Sequence, residues 1–337
     1  MSGATSVVKP CEVRSHPDCL LHAPGLGHPE SRERLEAVLA ALEPAPSDGW
    51  VLRREVPLPP PDDVLGALRW CHSAEHLEKV RQASERAPGW VDTPDCGVSR
   101  DSWRAATAAA GVALSAALDL VNRRIDRAFL AVRPPAHLAM RDAASGYCLL
   151  NHIAVAVEVV VRSLNAPVLV VDIDALHGNG LQSMFLDRAE VGVVSVHRYP
   201  GFPGTGGGDE IGVGPGEGTT LNVPLVAGST DDVVVPAALE AAERMSRRLL
   251  TPAVAVIAAG FDAHVDDPVG SMAMTEDGFR ALSRGLVEIA ERWCNGRVLS
   301  FLEGGFEPDS LAKSARVHVE ELSQWRPQDA EHHGPVN

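Results

Sequence analysis

Along this chain, short apolar runs alternate with longer stretches of helical periodicity. Ala128–Val132, Val168–Asp172, Val191–Val196, Ala253–Ala259 and Val298–Leu302 are compact and often valine-rich, as strands buried on both faces should be. Between and around them the spacing predicts helices over Ser31–Leu42, Ser73–Ala87, Ser102–Arg123, His152–Leu164, Asp232–Leu250, Glu276–Trp293 and Pro308–Leu322. Ser31 and Ser73 are placed as N-caps. Strand alternating with helix predicts an α/β fold, a single open, mostly parallel sheet flanked by helices on both faces. No internal repeat or linker divides the chain. Residues 11–326 are therefore expected to form one domain, with 1–10 and 327–337 as flexible termini. The segment from Tyr199 to Gly218 is rich in Gly and Pro, and a loop that long inside a compact domain is expected to be functional.

Ligands of open parallel sheets bind outside the carboxyl ends of the strands. Sorting the polar residues by that rule gathers five segments on one rim. The run VLVVD leads into Asp172 and Asp174, and AVAVIAA is followed by Asp262. The strand around Phe129 continues into RPPAH, which ends on His137. VVSV ends at His197, and VLSFL ends at Glu303, Gly304, Gly305 and Phe306. In an extended chain Asp172 and Asp174 point to the same side, which makes them a plausible half of a carboxylate metal site.

Composition narrows the partners. The formal charge of −15 repels phosphate backbones, so no nucleic-acid partner is expected. No run approaches the ~18–20 uninterrupted apolar residues of a membrane span, and the first ten residues lack the order of a secretory signal. Six cysteines without CxxC spacing read as reduced thiols, which predicts a cytoplasmic protein.

Eight ordered motifs then show a family resemblance. GHPESRERL (27–35), RPPAHLA (133–139), GYCLLNHIAVAV (146–157), VDIDALHGNGLQ (171–182), FPGTG (202–206), LNVPL (221–225), AGFDAHVDDPVG (259–270) and LEGGF (302–306) occur in that sequence. The set resembles the histone deacetylases and acetylpolyamine amidohydrolases of the arginase–deacetylase superfamily. It leans toward the class II and bacterial amidohydrolase branch. The resemblance implies a zinc ion held by Asp, His and Asp, a general-base His in an HH pair, and an oxyanion-binding Tyr in a closing GGY. Carried onto this chain, the two zinc aspartates are Asp174 and Asp262. The zinc His is replaced by Leu176, the general base by Leu138 and the Tyr by Phe306.

Each replacement removes one function. Leucine offers neither a lone pair to a metal nor a site for a proton. One lost oxyanion donor typically costs ~3–4 kcal/mol. Zinc is therefore not expected to be retained as in the family, and amide hydrolysis is expected to be lost, leaving a pseudo-deacetylase or binding scaffold. One alternative is a repurposed enzyme using a surviving His137–Asp172 acid/base dyad. Another is a metal-dependent deacylase with non-standard ligands. The resemblance also places Gly146, Tyr147, Phe202, Gly304 and Gly305 along a substrate tunnel whose floor is made apolar by Leu138, Leu176 and Phe306. It implies a structural K⁺ or Na⁺ held largely by backbone around Asp172, Asp174 and Ser195. Without a cation, Asp174 and Asp262 should repel, so that one holds a proton. The expected ligand is a small molecule or acyl chain, and a homo-oligomer is compatible with the sequence. His177 and His264 are expected to be structural.

Overall fold

The computed structural model describes residues 10–45 and 48–324, so apart from Pro10 the expected flexible termini lie outside the described residues. In chain order the elements are β1 (Cys11–Arg14), α1 (Arg32–Ala41), β2 (Trp50–Arg53), α2 (Pro61–Cys71), α3 (Ala74–Glu85), β3 (Gly89–Trp90) and β4 (Gly97–Val98). There follow α4 (Ser102–Val121), β5 (Arg127–Leu130), α5 (His152–Leu164), β6 (Val168–Asp172), α6 (Asn179–Phe185), β7 (Val191–Arg198) and β8 (Thr220–Leu225). The remainder is α7 (Asp231–Leu249), β9 (Val254–Ala259), α8 (Glu276–Trp293), β10 (Val298–Leu302) and α9 (Pro308–Ser323).

Eight strands form one sheet in the order β2-β1-β5-β10-β9-β6-β7-β8. Every pairing in it is parallel, which sharpens the expectation of a mostly parallel sheet. Helices α1, α9, α8 and α7 pack side by side as one layer, and α2, α3, α4 and α5 form the other. Strands covered on both faces need not alternate, and β6, β9 and β10 are buried at every position. Helix α4 is long and apolar enough to cross a membrane by length and composition, but it is mostly buried and packs on α5 as a core helix.

Three sheet strands escape the apolar pattern. β1 reads CEVR and β2 reads WVLR, and their charged members are accommodated by partners. Arg14 donates to Glu12 Oε2 and Asp119 Oδ2, both at 2.7 Å, and Arg53 donates to Glu12 Oε1 at 2.9 Å. β8 reads TLNVPL and tolerates Pro224 because it is an edge strand. Pairing with β8 also carries β7 on to Arg198. His197 therefore lies within the strand, not past its end as expected. Of the two predicted caps, Ser73 accepts from His76 N at 3.2 Å, whereas Ser31 occupies the N-cap of α1 without a side-chain bond.

The strand order matters for the site. β5, β10, β9, β6 and β7 are consecutive neighbours, so the segments following them meet at one edge. They are the five whose ends carry the acids and imidazoles.

Candidate functional site

His137 is the hub of that edge. Its Nδ1 hydrogen-bonds Asp172 Oδ2 at 2.9 Å, and its Nε2 stands 3.7 Å from Asp174 Oδ2. Asp172 is the last residue of β6, and its other oxygen accepts the Asp174 amide at 3.1 Å. The imidazole is thus clamped between two carboxylates on the same side, as the extended Asp-Ile-Asp segment implied. Burial alone would make His137 a weaker base. Asp174 and then Asp172 outweigh it and raise its pKa well above the ordinary value. Burial raises Asp172, against the pull of the same imidazole.

The two aspartates that the resemblance assigns to zinc do lie in one corner. Asp174 Oδ2 accepts Gly304 N at 2.8 Å and its Oδ1 accepts Leu176 N at 2.9 Å. Asp262 Oδ1 accepts Ala175 N at 2.9 Å, and its Oδ2 is buried without a partner. Burial, then the charge of Asp174, raises Asp262 well above a normal carboxyl. That is the direction expected of two carboxylates with no cation between them. Backbone must come close here: a Cβ on Gly260 would lie 2.2 Å, and one on Gly304 2.5 Å, from Asp174 Oδ2.

The position to which the resemblance assigns the third ligand of the family's metal is Leu176. Leu176, with Leu138, Ala139 and Cys148, forms a buried apolar cluster of its own, apart from the main core. An apolar wall stands where the resemblance places a metal-binding imidazole and the general base. The residues present do not fit the family's Asp-His-Asp zinc. Two carboxylates remain, and their oxygens are engaged by backbone amides except Asp262 Oδ2.

The tunnel residues come together in part. Tyr147 and Phe306 meet edge to face with centroids 5.4 Å apart, and His28 lies 4.7 Å from Tyr147 on its other side. Gly146 lies against Leu138 and Phe202, since a Cβ there would fall 2.1 Å from Leu138 Cδ1 and 3.1 Å from Phe202 Cε1. Phe202 itself is 47% exposed at the rim. Gly305 turns its carbonyl to Arg34, whose guanidinium also covers the Phe306 ring at 4.8 Å. Ser195 pairs with Asp172 across β6 and β7 and bonds its hydroxyl to His197 Nδ1 at 2.9 Å. His177 bridges Thr205 Oγ1 and Gln182 Oε1, and His264 Nδ1 accepts the Asp266 amide, both structural arrangements.

Thirty-odd per cent identity accompanies this geometry. The family description "Histone deacetylase domain" matches residues 28–322. The chain belongs to the histone deacetylase family. It is 34% identical over 305 residues to histone deacetylase 15 of Arabidopsis thaliana, covering 90% of this chain and 54% of that protein. It is 33% identical over 292 residues to a probable deacetylase of Archaeoglobus fulgidus, covering 86% of this chain and 80% of that one. Among solved structures, the HDA15 HD domain superposes with a TM-score of 0.81 at 31% identity, covering 95% of this chain and 90% of that one. An acetylpolyamine aminohydrolase from Burkholderia pseudomallei superposes with a TM-score of 0.79 at 29% identity, covering 93% and 99%. This deacetylase-family chain thus spans about half of the plant protein and most of the archaeal one.

Several site residues were not assigned by sequence reasoning. Glu303 Oε2 accepts Ala136 N at 2.8 Å and His137 N at 2.9 Å, so it fixes the segment that carries the imidazole. Burial pushes its carboxyl up to about 7. Beside it, Glu30 receives both arms of Arg133 at 2.8 Å and Arg34 at 3.0 Å, all buried. Against its burial, Arg133 above all brings Glu30 down to about 2. The two arginines lie inside the quoted HPE-like and RPP motifs, but nothing in their spacing tells that they share one carboxylate.

Proposed function

We propose that this chain is a deacetylase-family protein that has lost zinc-dependent amide hydrolysis and keeps the pocket as a scaffold for a small molecule or acyl chain. One observation carries the reading, the separate apolar cluster of Leu138, Leu176, Ala139 and Cys148. Burying a leucine side chain is worth about 1.5–3 kcal/mol. These two replacements are therefore packed constituents of the floor and not gaps left by lost ligands. Phe306 completes the change by offering an aromatic edge to Tyr147 where the family offers a hydroxyl.

The test is acetate release from acetyl-lysine peptides and acetylpolyamines. The expected result is no turnover above buffer, with a gain on combining Leu138→His, Leu176→His and Phe306→Tyr. Robust turnover by the unaltered protein that disappears in Asp262→Asn would sink the reading and favour a deacylase with non-standard ligands.

The buried 2.9 Å contact between His137 and Asp172 favours a second reading, a repurposed acid/base enzyme. There His137→Ala should abolish activity on the true substrate, and unchanged turnover would refute the role. Both readings retain a K⁺ or Na⁺ beside Asp172, Asp174 and Ser195, supported by the pairing of Asp172 with Ser195. Both also keep a cytoplasmic setting, supported by six free, buried cysteines.

A further inference from the structure

We propose that a zinc-class divalent ion binds one step away from the family's metal corner, on His137 Nε2, Cys148 Sγ and Glu303 Oε1. Ligand atoms of these three buried residues lie within 4.8 Å of one another, and no other set of three or more His, Cys, Asp or Glu meets that criterion among the described residues. Asp174 and Asp262 are not part of it.

Each donor is already turned for the task. Asp172 occupies His137 Nδ1 and so directs the other ring nitrogen away from it, the carboxylate–histidine–metal arrangement that fixes tautomer and ring orientation. The Ala136 and His137 amides occupy Glu303 Oε2, which leaves Oε1 buried and without a partner. Cys148 Sγ makes a long contact to Gly146 O at 3.4 Å and also meets the Leu138 backbone. A further buried nitrogen without a partner, His152 Nε2, stands 3.8 Å from Glu303 Oε1.

Charge and softness point the same way. One thiolate, one carboxylate and one neutral imidazole cancel a double positive charge, so the loaded centre is neutral where burial of net charge is most costly. A mixed sulfur, nitrogen and oxygen set suits zinc, whose bond lengths of about 2.0–2.3 Å require these donors to close in by about 1 Å at most. Binding releases the Cys148 proton, the Nε2 proton that Asp174 and Asp172 favour on His137, and any proton on Glu303 to solvent, so affinity should rise with pH. Such an ion would tie together the segment after β5, the segment before α5 and the residue that follows β10.

Cobalt(II) is the probe, because a thiolate ligand gives it an intense near-ultraviolet charge-transfer band and the Asp174–Asp262 corner contains no sulfur. The full chain is stripped with a chelator and titrated with Co²⁺. One ion per chain with a thiolate band is expected. Cys148→Ser should abolish the band, and Glu303→Gln should weaken binding more than about 100-fold, beyond the loss typical of an outer partner. Asp262→Asn should leave the band in place. Circular dichroism confirms that each variant is folded, and Glu303→Gln keeps the test decisive where the buried serine is not tolerated. The proposal is overturned by no binding, by binding without the band, by a band that survives Cys148→Ser, or by one lost in Asp262→Asn. Acetate release does not enter, so hydrolysis and this site succeed or fail separately.

Discussion

Two buried ionic regions adjoin at the carboxyl edge of the sheet, and they balance charge in opposite ways. In the first, Glu30 sits between Arg133 and Arg34, one carboxylate for two guanidinium groups. Arginine cannot shed its charge, and the surplus is solvated by carbonyls: Arg133 donates to Cys19 O and His22 O, and Arg34 to Gly305 O and Glu303 O. In the second, Asp172, Asp174 and Glu303 face one imidazole and Asp262 adjoins Asp174, so the surplus is negative. Carboxylates can take up protons, and burial shifts Asp172, Asp262 and Glu303 in that direction. Glu30 falls to about 2, whereas Glu303 rises to about 7 and Asp262 rises well above normal. A region that keeps its charges is a structural rivet. A region that gives them up is waiting for a cation.

The sharpest way to break this contrast is to neutralise each glutamate with its own isostere. Glu30→Gln leaves two buried arginines without their anion and should cost about 3–5 kcal/mol in denaturant unfolding. A loss below about 1 kcal/mol would show that the carbonyls alone hold the arginines.

The pH dependence of the metal-free protein comes next, and its two limbs have opposite signs. Glu303, raised from 4.5 to about 7, contributes stability that is full below 4.5 and is lost as pH rises through about 7. Its own contribution to the unfolding free energy should therefore fall by up to about 1.4 kcal/mol per pH unit across that window, and Asp262 acts in the same direction. Glu30, lowered from 4.5 to about 2, contributes stability that is full above 4.5 and is lost as pH falls through about 2. The buried histidines His22, His72, His152, His197 and His318, whose pKa values burial lowers, pull the other way between about pH 4 and 6.5. The Glu303 limb is therefore read as the difference in urea midpoint between the unaltered protein and Glu303→Gln, which should shift against the unaltered protein as pH rises from 5 to 7. A difference between the two proteins that stays constant from pH 5 to 7 would contradict the raised Glu303 carboxyl.

The smallest expected effect is the most selective. At pH 5 Glu303→Gln replaces a carboxyl that already carries a proton, and the amide oxygen can still accept from Ala136 and His137. The change should stay within about 1 kcal/mol. The same substitution at Glu30 and Glu303 thus separates a charge that is used from one that is not.

The sequence was a good guide wherever periodicity or motif order did the work. β6, β9 and β10 are continuous apolar runs, and the positions of Asp172, Asp262 and His137 after their strands follow from them. It was a poor guide where a side chain's meaning depends on a distant partner. β1 hides as a strand because Glu12 and Arg14 are polar in sequence and neutralised in space. Glu303 reads as one letter of a glycine motif, and only the fold reveals that it grips the amide of His137 from 166 residues away. Leu138 and Leu176 could be recognised as departures from a pattern, but their joining into one cluster with Cys148 is a fact of packing.

The glycines of the carboxylate corner limit the order in which this site can change. A Cβ at Gly260 or Gly304 would collide with Asp174, and one at Gly304 would also come within 2.7 Å of Asp262 Cγ. No substitution at either glycine is open while both acids stay. A lineage decaying at random would have to surrender an aspartate first and only then fill the space. Set beside the pattern of the family resemblance, Leu138, Leu176 and Phe306 differ while Asp174, Asp262, Gly260 and Gly304 match.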